Sequence, residues 1–194
     1  MGRWRRIEQW QQLDPPFLIW GQKGPQAVAR RFRGTSTHKV DTKGRVSIPA
    51  PFRRVLEASD PEWTDGSQPA LFILYGDHRR PWLTVYSVAA MEEVDAQIAA
   101  MPRGTIERQR AEDYFYANAQ HLTVDESGRL ILSKDLRDRV GITTEAVFKS
   151  AGDTFKIMAP EADAPEQARL RSWLDAQDES FDPASLLPSP IPLD

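Results

Sequence analysis

Short apolar segments separated by polar turns dominate the chain between residues 37 and 158, and their apolar and polar positions alternate as in β-strands. The same order of strand, tight turn, strand, helix and closing hairpin occurs twice. The predicted strands are 37–41, 46–48, 71–75 and 82–86 in the first copy, and 122–125, 130–132, 146–149 and 154–158 in the second. Helical spacing of apolar residues predicts two connecting helices, over 91–101 and 105–119. The pattern therefore predicts an α+β fold that is mainly β.

An internal repeat underlies this order. Residues 38–53 align without a gap with residues 122–137, at an offset of 84. The matched pairs are Val40 and Val124, Asp41 and Asp125, Gly44 and Gly128, Arg45 and Arg129, Ile48 and Leu132, Phe52 and Leu136, and Arg53 and Arg137. Seven pairs in register indicate a duplication. We divide the chain accordingly into an N-terminal extension (1–29), a first half (35–88), connecting helices (89–118), a second half (119–162) and an acidic, proline-rich tail (163–194).

The two ends of the chain differ from its repeated part. The extension 1–29 contains three of the six tryptophans without periodicity. Translation from a GTG codon at Val28 would omit all but its last two residues, so the extension is a candidate for sequence that is not translated. In the tail we expect a short polar helix over 166–176, and disordered or extended chain from residue 181 onward.

Composition excludes several classes of protein and site. The chain has no cysteine and only three scattered histidines, which argues against disulfide scaffolds, thiol chemistry and metal sites. No apolar run approaches the roughly 20 residues of a membrane helix, and no secretory signal is evident. We therefore expect a cytoplasmic protein that uses no metal, no cofactor and no small-molecule substrate.

Charge is distributed unevenly, although the net charge is only −3. Residues 28–54 contain eight basic residues and one acidic residue, whereas residues 159–194 contain eight acidic and two basic residues. A basic segment that coincides with a rigid hairpin is typical of an anion-binding surface. The alternative interpretation, a solvent-exposed charged surface without a binding role, remains open for both segments.

The strongest local motif is Asp-x-x-x-Arg across a hairpin turn, present once in each copy. Gly44 and Gly128 are expected to supply the positive φ that these turns need. Asp41 and Asp125 can accept amide hydrogens within the turn and can pair with the arginine that leaves it. One interpretation is a structural ion pair. The other is that a cationic two-stranded ribbon enters the major groove of DNA, with Arg45 donating to guanine and with lysine and threonine contacting phosphates.

At these residues the chain resembles the MraZ family of bacterial regulators, which are built from two SpoVT-AbrB-type halves. The matching segments are 31–34 (RFRG), 40–49 (VDTKGRVSIP), 52–53, 82–86, 117–119, 124–129 (VDESGR) and 155–157. The resemblance implies duplicated swapped-hairpin β-barrel halves that form an internal pseudo-dimer with connecting helices. It also implies that Arg45 and Arg129 are the DNA-contacting arginines.

The resemblance further implies a sequence-specific regulator, usually a repressor, of the division and cell-wall gene cluster. Such a protein would act as a ring-like homo-oligomer on repeated promoter boxes in double-stranded DNA and would be associated with the nucleoid. The predicted DNA-binding residues are Arg33, Lys39, Thr42, Lys43, Arg45 and Arg129. Those predicted to support the hairpins are Asp41, Gly44, Asp125 and Gly128. Because Glu126 and Ser127 replace Thr42 and Lys43, we expect the first hairpin to supply most of the affinity.

Three alternatives remain. An antitoxin-like member of the same superfamily would bind a toxin through the acidic tail, although such proteins generally carry one half rather than two. A purely architectural ring would not need the basic hairpin. An enzyme is disfavoured, because the sequence offers no thiol nucleophile, phosphate-binding glycine loop or metal-spaced histidine pair.

Overall fold

A computed structural model describes residues 31–188, so the predicted N-terminal extension lies outside the described residues. The described chain contains both helices and strands. In chain order these are β1 (Thr35–Lys39), β2 (Arg45–Ser47), α1 (Ala50–Ala58), β3 (Ala70–Leu74), β4 (Trp82–Ser87), α2 (Val88–Ala100), α3 (Ile106–Phe115), β5 (Ala119–Thr123), β6 (Arg129–Ile131), α4 (Lys134–Arg139), β7 (Glu145–Ala151), β8 (Thr154–Met158), α5 (Pro160–Asp175) and a 3₁₀ turn (Pro183–Leu186).

The element order confirms the duplicated pattern. The sequence strand, strand, helix, strand, strand occurs first as β1 to β4 with α1 and again as β5 to β8 with α4. The two copies start their helices differently. Pro51 lies in the first turn of α1 and has no amide hydrogen, whereas the Ser133 hydroxyl accepts a hydrogen bond from the Leu136 amide at 3.3 Å. Both arrangements address the unpaired amides of a first helical turn.

Strands are exchanged between the two copies. A six-stranded antiparallel sheet has the order β1-β7-β8-β4-β3-β5. The first strand of each copy thus pairs with the third strand of the other, β1 with β7 and β5 with β3. Exchanging the two copies reverses this order onto itself, so the described sheet has an approximate twofold relation. Neither copy supplies all the partners of its own strands.

The expectation of a closed barrel is not met by the hydrogen-bonding pattern. The described strands form one open six-stranded sheet and a separate two-stranded ribbon, β2 with β6. The three-residue strands β2 and β6 pair with each other, and a single bridge between Val40 and Val46 joins β2 to the segment after β1. Because β1 and β5 remain the edges of the larger sheet, the sheet does not close on itself.

Aromatic side chains from distant segments meet in the core. Phe32 lies 5.3 Å from Phe52 and 4.9 Å from Phe155, measured between ring centroids. All three side chains are buried, together with Val46 and Leu130 from the ribbon. The inner face of the ribbon therefore packs against the core, and its other face is exposed to solvent.

Helix α5 begins six residues earlier than the sequence pattern predicts, and the predicted tail boundary at residue 163 falls inside it. Asp163 is buried and accepts a hydrogen bond from Lys149 Nζ on β7 at 2.7 Å. Glu166 accepts one from Lys156 Nζ on β8 at 2.7 Å. These ion pairs hold the start of α5 against the sheet. Helical periodicity does not reveal them, because their partners lie on other elements.

Replacing Asp163 with asparagine should lower the free energy of unfolding at pH 7 by about 1–2 kcal/mol, since a charged hydrogen bond is lost. Burial raises the pKa of Asp163, but the hydrogen bonds from Lys149 and Gln167 outweigh burial and hold that pKa below its ordinary value. The stabilisation is therefore present above the ordinary pKa and is lost as the pH falls through the lower, folded-state value. Urea unfolding from pH 7 to pH 3 measures the difference between variant and wild type.

Glu161→Gln is the matched control for this variant. Glu161 lies in the same first turn of α5 and is exposed, so it shares the helix-dipole effect without the ion pair. We expect it to change stability by no more than a few tenths of a kcal/mol. Equal effects of the two variants would contradict a stabilising role for the pair between Lys149 and Asp163.

Candidate nucleic-acid interface

The first hairpin turn is organised by the carboxylate of Asp41. Its Oδ1 accepts hydrogen bonds from the backbone amides of Lys43 and Arg45, each at 2.9 Å. Its Oδ2 accepts one from Arg45 Nε at 2.6 Å. The amide of Arg45 is the largest influence holding the pKa of Asp41 below its ordinary value, with the guanidinium acting in the same direction. The carboxylate is therefore ionised at neutral pH, and it fixes both the turn and the base of the arginine side chain.

Gly44 allows this turn to lie against the second copy. Its φ is +79°, in the left-handed region that glycine favours. Its carbonyl accepts a hydrogen bond from the Leu132 amide at 2.9 Å. A Cβ at this position would overlap the Leu132 carbonyl oxygen. The glycine is thus required both for the backbone conformation and for the close approach of the two chain segments.

The second turn repeats this arrangement. Asp125 Oδ1 accepts a hydrogen bond from the Arg129 amide at 2.9 Å, and Oδ2 accepts one from Arg129 Nε at 3.0 Å. Gly128 has a φ of +73°, and its carbonyl accepts a hydrogen bond from the Ile48 amide at 3.0 Å. Each turn therefore bonds to the strand end of the other copy, and the two turns are held in one unit.

The two arginines lie on the same face of the ribbon. In β2 and β6, Arg45 pairs with Ile131, Val46 with Leu130, and Ser47 with Arg129. Val46 and Leu130 are buried, so the alternating residues on both strands point outward. Arg45 and Arg129 are diagonal neighbours across the ribbon, a relation in which the two Cα atoms lie about 7–8 Å apart.

Both guanidinium groups keep donors available. Asp41 and Asp125 engage only the Nε atoms of Arg45 and Arg129, and within residues 31–188 neither arginine uses its Nη atoms in a hydrogen bond. Each side chain is a little over one-third exposed. The face thus presents two pre-oriented sets of N–H donors.

The tips of the two turns carry different chemistry. Thr42 and Lys43 are exposed at the first tip, whereas Glu126 and Ser127 are exposed at the second. A polyanion would therefore contact a hydroxyl and an ammonium group at the first tip, but a carboxylate at the second. The two turn tips therefore differ in the charge that they present to solvent.

The remaining predicted contacts lie along β1 rather than at the turn. Lys39 is exposed two residues before Asp41, directly opposite Glu145 of β7. Arg33 is exposed next to Phe32, whose amide bonds to the Gly152 carbonyl at the far end of the strand. Arg33 precedes β1 by two residues, and at about 3.3 Å per extended residue its separation from Lys39 corresponds to at most about 20 Å of chain. The structure therefore does not bring Arg33 together with the ribbon arginines.

Sequence reasoning missed four residues of this region. Ser47 and Ile131 share the outward ribbon face, and strand alternation from Val46 and Leu130 would have located them. Arg53 packs under Gly128, and Arg137 Nε donates to the Leu132 carbonyl beside Gly44 at 3.1 Å. The repeat alignment pairs these two arginines, but their place behind the opposite copy's turn depends on strand exchange.

Other chemistry is not evident in the part of the chain that the structure describes. Residues 31–188 contain no group of three or more histidine, aspartate or glutamate side chains arranged to hold a metal ion. Within the same residues, no helix has both the length and the apolar character needed to cross a membrane.

Comparison with known proteins matches most of this region to one family. The model of the family described as "MraZ protein, putative antitoxin-like" matches residues 31–110 and 115–162. The chain is 52% identical over 161 residues to the "Transcriptional regulator MraZ" of Ruegeria pomeroyi, covering 82% of this chain and 96% of that protein. It is 36% identical over 148 residues to the "Transcriptional regulator MraZ" of Cereibacter sphaeroides, covering 73% of this chain and 87% of that protein. It is 33% identical over 156 residues to the protein of the same name from Gluconobacter oxydans, covering 79% of this chain and 91% of that protein.

Proposed function

The chain belongs to the MraZ family of transcriptional regulators and is not an enzyme, and from this premise we propose that it binds double-stranded DNA through the outward face of β2 and β6. One observation carries the proposal. Arg45 and Arg129, each held through Nε by an aspartate across a glycine turn, are diagonal neighbours on the outward face of a ribbon whose other face is buried.

The dimensions and donors of this face suit the major groove. The groove is about 12 Å wide and admits a two-stranded ribbon. A guanidinium held by its Nε can still donate to guanine O6 and N7, which is the commonest base-specific contact of arginine. Asp41 and Asp125 act as positioning residues, because they fix the side chains before DNA arrives and so reduce the entropy lost on binding.

Phosphate contacts would come mainly from the first hairpin. In this proposal the exposed Thr42 and Lys43 at its tip, and the exposed Lys39 on the adjoining strand, contact phosphates beside the groove that Arg45 enters. Glu126 at the second tip would repel a phosphate. In this proposal Arg33 acts at a separate point, along the DNA backbone away from the ribbon.

A single chain offers few contacts, so strong binding requires several chains on repeated sites. We therefore propose a ring-like homo-oligomer that engages repeated promoter boxes upstream of the division and cell-wall gene cluster and acts as a repressor. It would then be cytoplasmic and associated with the nucleoid. The strand exchange between the two copies supports an internal pseudo-dimer, with the halves divided at 35–88 and 119–162.

Binding should depend on both boxes and salt. The full chain is titrated onto the DNA directly upstream of its own gene, with the repeat boxes intact or scrambled, and fluorescence anisotropy is measured from 50 to 200 mM salt. We expect intact boxes to bind roughly 10³-fold or more tightly than scrambled ones. The logarithm of affinity should fall linearly with the logarithm of salt concentration, because bound cations on DNA are released. Equal, weak affinity for both DNAs would refute sequence-specific regulation.

A second candidate, toxin binding through the acidic tail, is favoured by the antitoxin-like description of the family and by the exposed Leu170, Trp173 and Leu174 on α5. Asp163 and Glu166 are already engaged by Lys149 and Lys156, so the remaining acidic residues of the tail would contact the partner. A small basic protein that co-purifies with the full chain at fixed stoichiometry would support this function. If no such protein co-purifies and DNA binding depends on the boxes, the toxin-binding function is refuted and the regulator function is retained.

A further inference from the structure

The outward face of the ribbon carries one apolar side chain among polar ones. Its four residues are Arg45, Ser47, Arg129 and Ile131. Ile131 is 56% exposed, even though the buried neighbours on the same strand show that this strand has access to the core. The internal repeat places Ile131 at the position of Ser47. Both copies therefore have an arginine at the first outward position, Arg45 or Arg129. Two residues later, the first copy has Ser47 and the second has Ile131.

Pairing across the ribbon places this difference next to one arginine only. Ile131 lies directly opposite Arg45, while Ser47 lies opposite Arg129. Directly opposed side chains on an antiparallel pair have Cβ atoms about 4.5–5.5 Å apart. The arginine beside the basic turn tip thus has an aliphatic neighbour, and the arginine beside the acidic tip has a hydroxyl neighbour.

We propose that Ile131 contacts the C5-methyl group of a thymine in the major groove, at a base pair adjoining the one that Arg45 reads. The proposal rests on the proposed DNA-binding function. The thymine methyl is the apolar group that a base pair presents in that groove, and it is the complement of an aliphatic side chain. The Nη donors of the two neighbouring guanidinium groups fit a partner that presents hydrogen-bond acceptors, which favours DNA over a purely apolar partner.

Removing the methyl from DNA tests this contact without knowledge of the operator. The upstream fragment is amplified with either dTTP or dUTP, so that the second DNA differs only in its thymine methyl groups. Wild-type full chain should bind the thymine DNA at least about fourfold more tightly, the effect of removing one methyl from water. Ile131→Ser, which copies the first half, should bind both DNAs equally. Ser47→Ala, on the same face, should keep the wild-type preference.

The melting temperature of each variant shows whether it still folds. Because Ile131 is exposed, its replacement should leave the melting temperature nearly unchanged. Light scattering of each variant gives the mass of the assembly. If Ile131→Ser keeps the preference for thymine DNA, or if the wild type shows none, the methyl contact is wrong. A changed assembly mass with the preference intact would make Ile131 a contact between chains, which also overturns the proposal.

The proposed function and this inference fail differently. Box-dependent binding without discrimination between thymine and uracil DNA removes the role of Ile131 and keeps the regulator. Failure of the wild type to distinguish intact from scrambled boxes removes both.

Discussion

Replacing Arg45 with alanine is expected to weaken binding to the intact boxes by about 10- to 100-fold for each engaged chain, and to reduce the difference between intact and scrambled DNA by a similar factor. A good bidentate contact between arginine and a base contributes roughly 1–3 kcal/mol of discrimination, and alanine retains none of it. Binding by several chains multiplies the loss. Arg129→Ala should have a smaller effect, because Glu126 rather than Lys43 lies at the adjoining turn tip.

Arg79→Ala is the matched control for charge. Arg79 also follows an aspartate in a turn and pairs with Asp77 at 2.7 Å, but it lies between β3 and β4, away from the ribbon. Its replacement changes the net charge by the same amount and should leave the preference for intact boxes unchanged. Anisotropy titrations at two salt concentrations separate the variants. If Arg79→Ala and Arg45→Ala weaken binding equally, the ribbon is only part of a diffuse cationic surface.

The parts of the site that the sequence predicted are local. Asp41, Gly44 and Arg45 fall within one turn, so their spacing alone determines that the carboxylate meets the amide and the guanidinium. The repeat offset then transfers the same geometry to Asp125 and Arg129. For these residues, short-range hydrogen bonding is sufficient to determine the structure.

The parts that the sequence did not predict depend on pairing between distant segments. Arg33 was grouped with Arg45 because the two are close in the chain, but the intervening β1 is extended and separates them. The place of Ile131 directly opposite Arg45 follows from the pairing of β2 with β6, which no local pattern specifies. Similarly, the contact between Asp163 of α5 and Lys149 of β7 depends on how the helix packs against the sheet.

Gly44→Ala is expected to lower the free energy of unfolding by about 2–5 kcal/mol, the sum of a backbone cost and an overlap cost. Holding a non-glycine residue in the left-handed region costs roughly 1–2 kcal/mol. The overlap of the new Cβ with the Leu132 carbonyl adds about 1–3 kcal/mol, as in other overpacked sites. The melting temperature should fall by about 10 °C for a chain of this size. Calorimetry measures the change.

Two other glycines divide this effect into its causes. Gly104 has a φ of +82° and no atom of the described residues within 4 Å of a Cβ, so Gly104→Ala reports the backbone cost alone. At Gly128 the Cβ meets the end of the Arg53 side chain, which can move more easily than a carbonyl. We therefore expect the loss of stability to decrease in the order Gly44, Gly128, Gly104. Equal losses at Gly44 and Gly104 would mean that the two copies are not in close contact at the first turn. The positions of Arg45 and Ile131 on one face would then lose their structural basis, because that face exists only while the two hairpins remain bonded to each other.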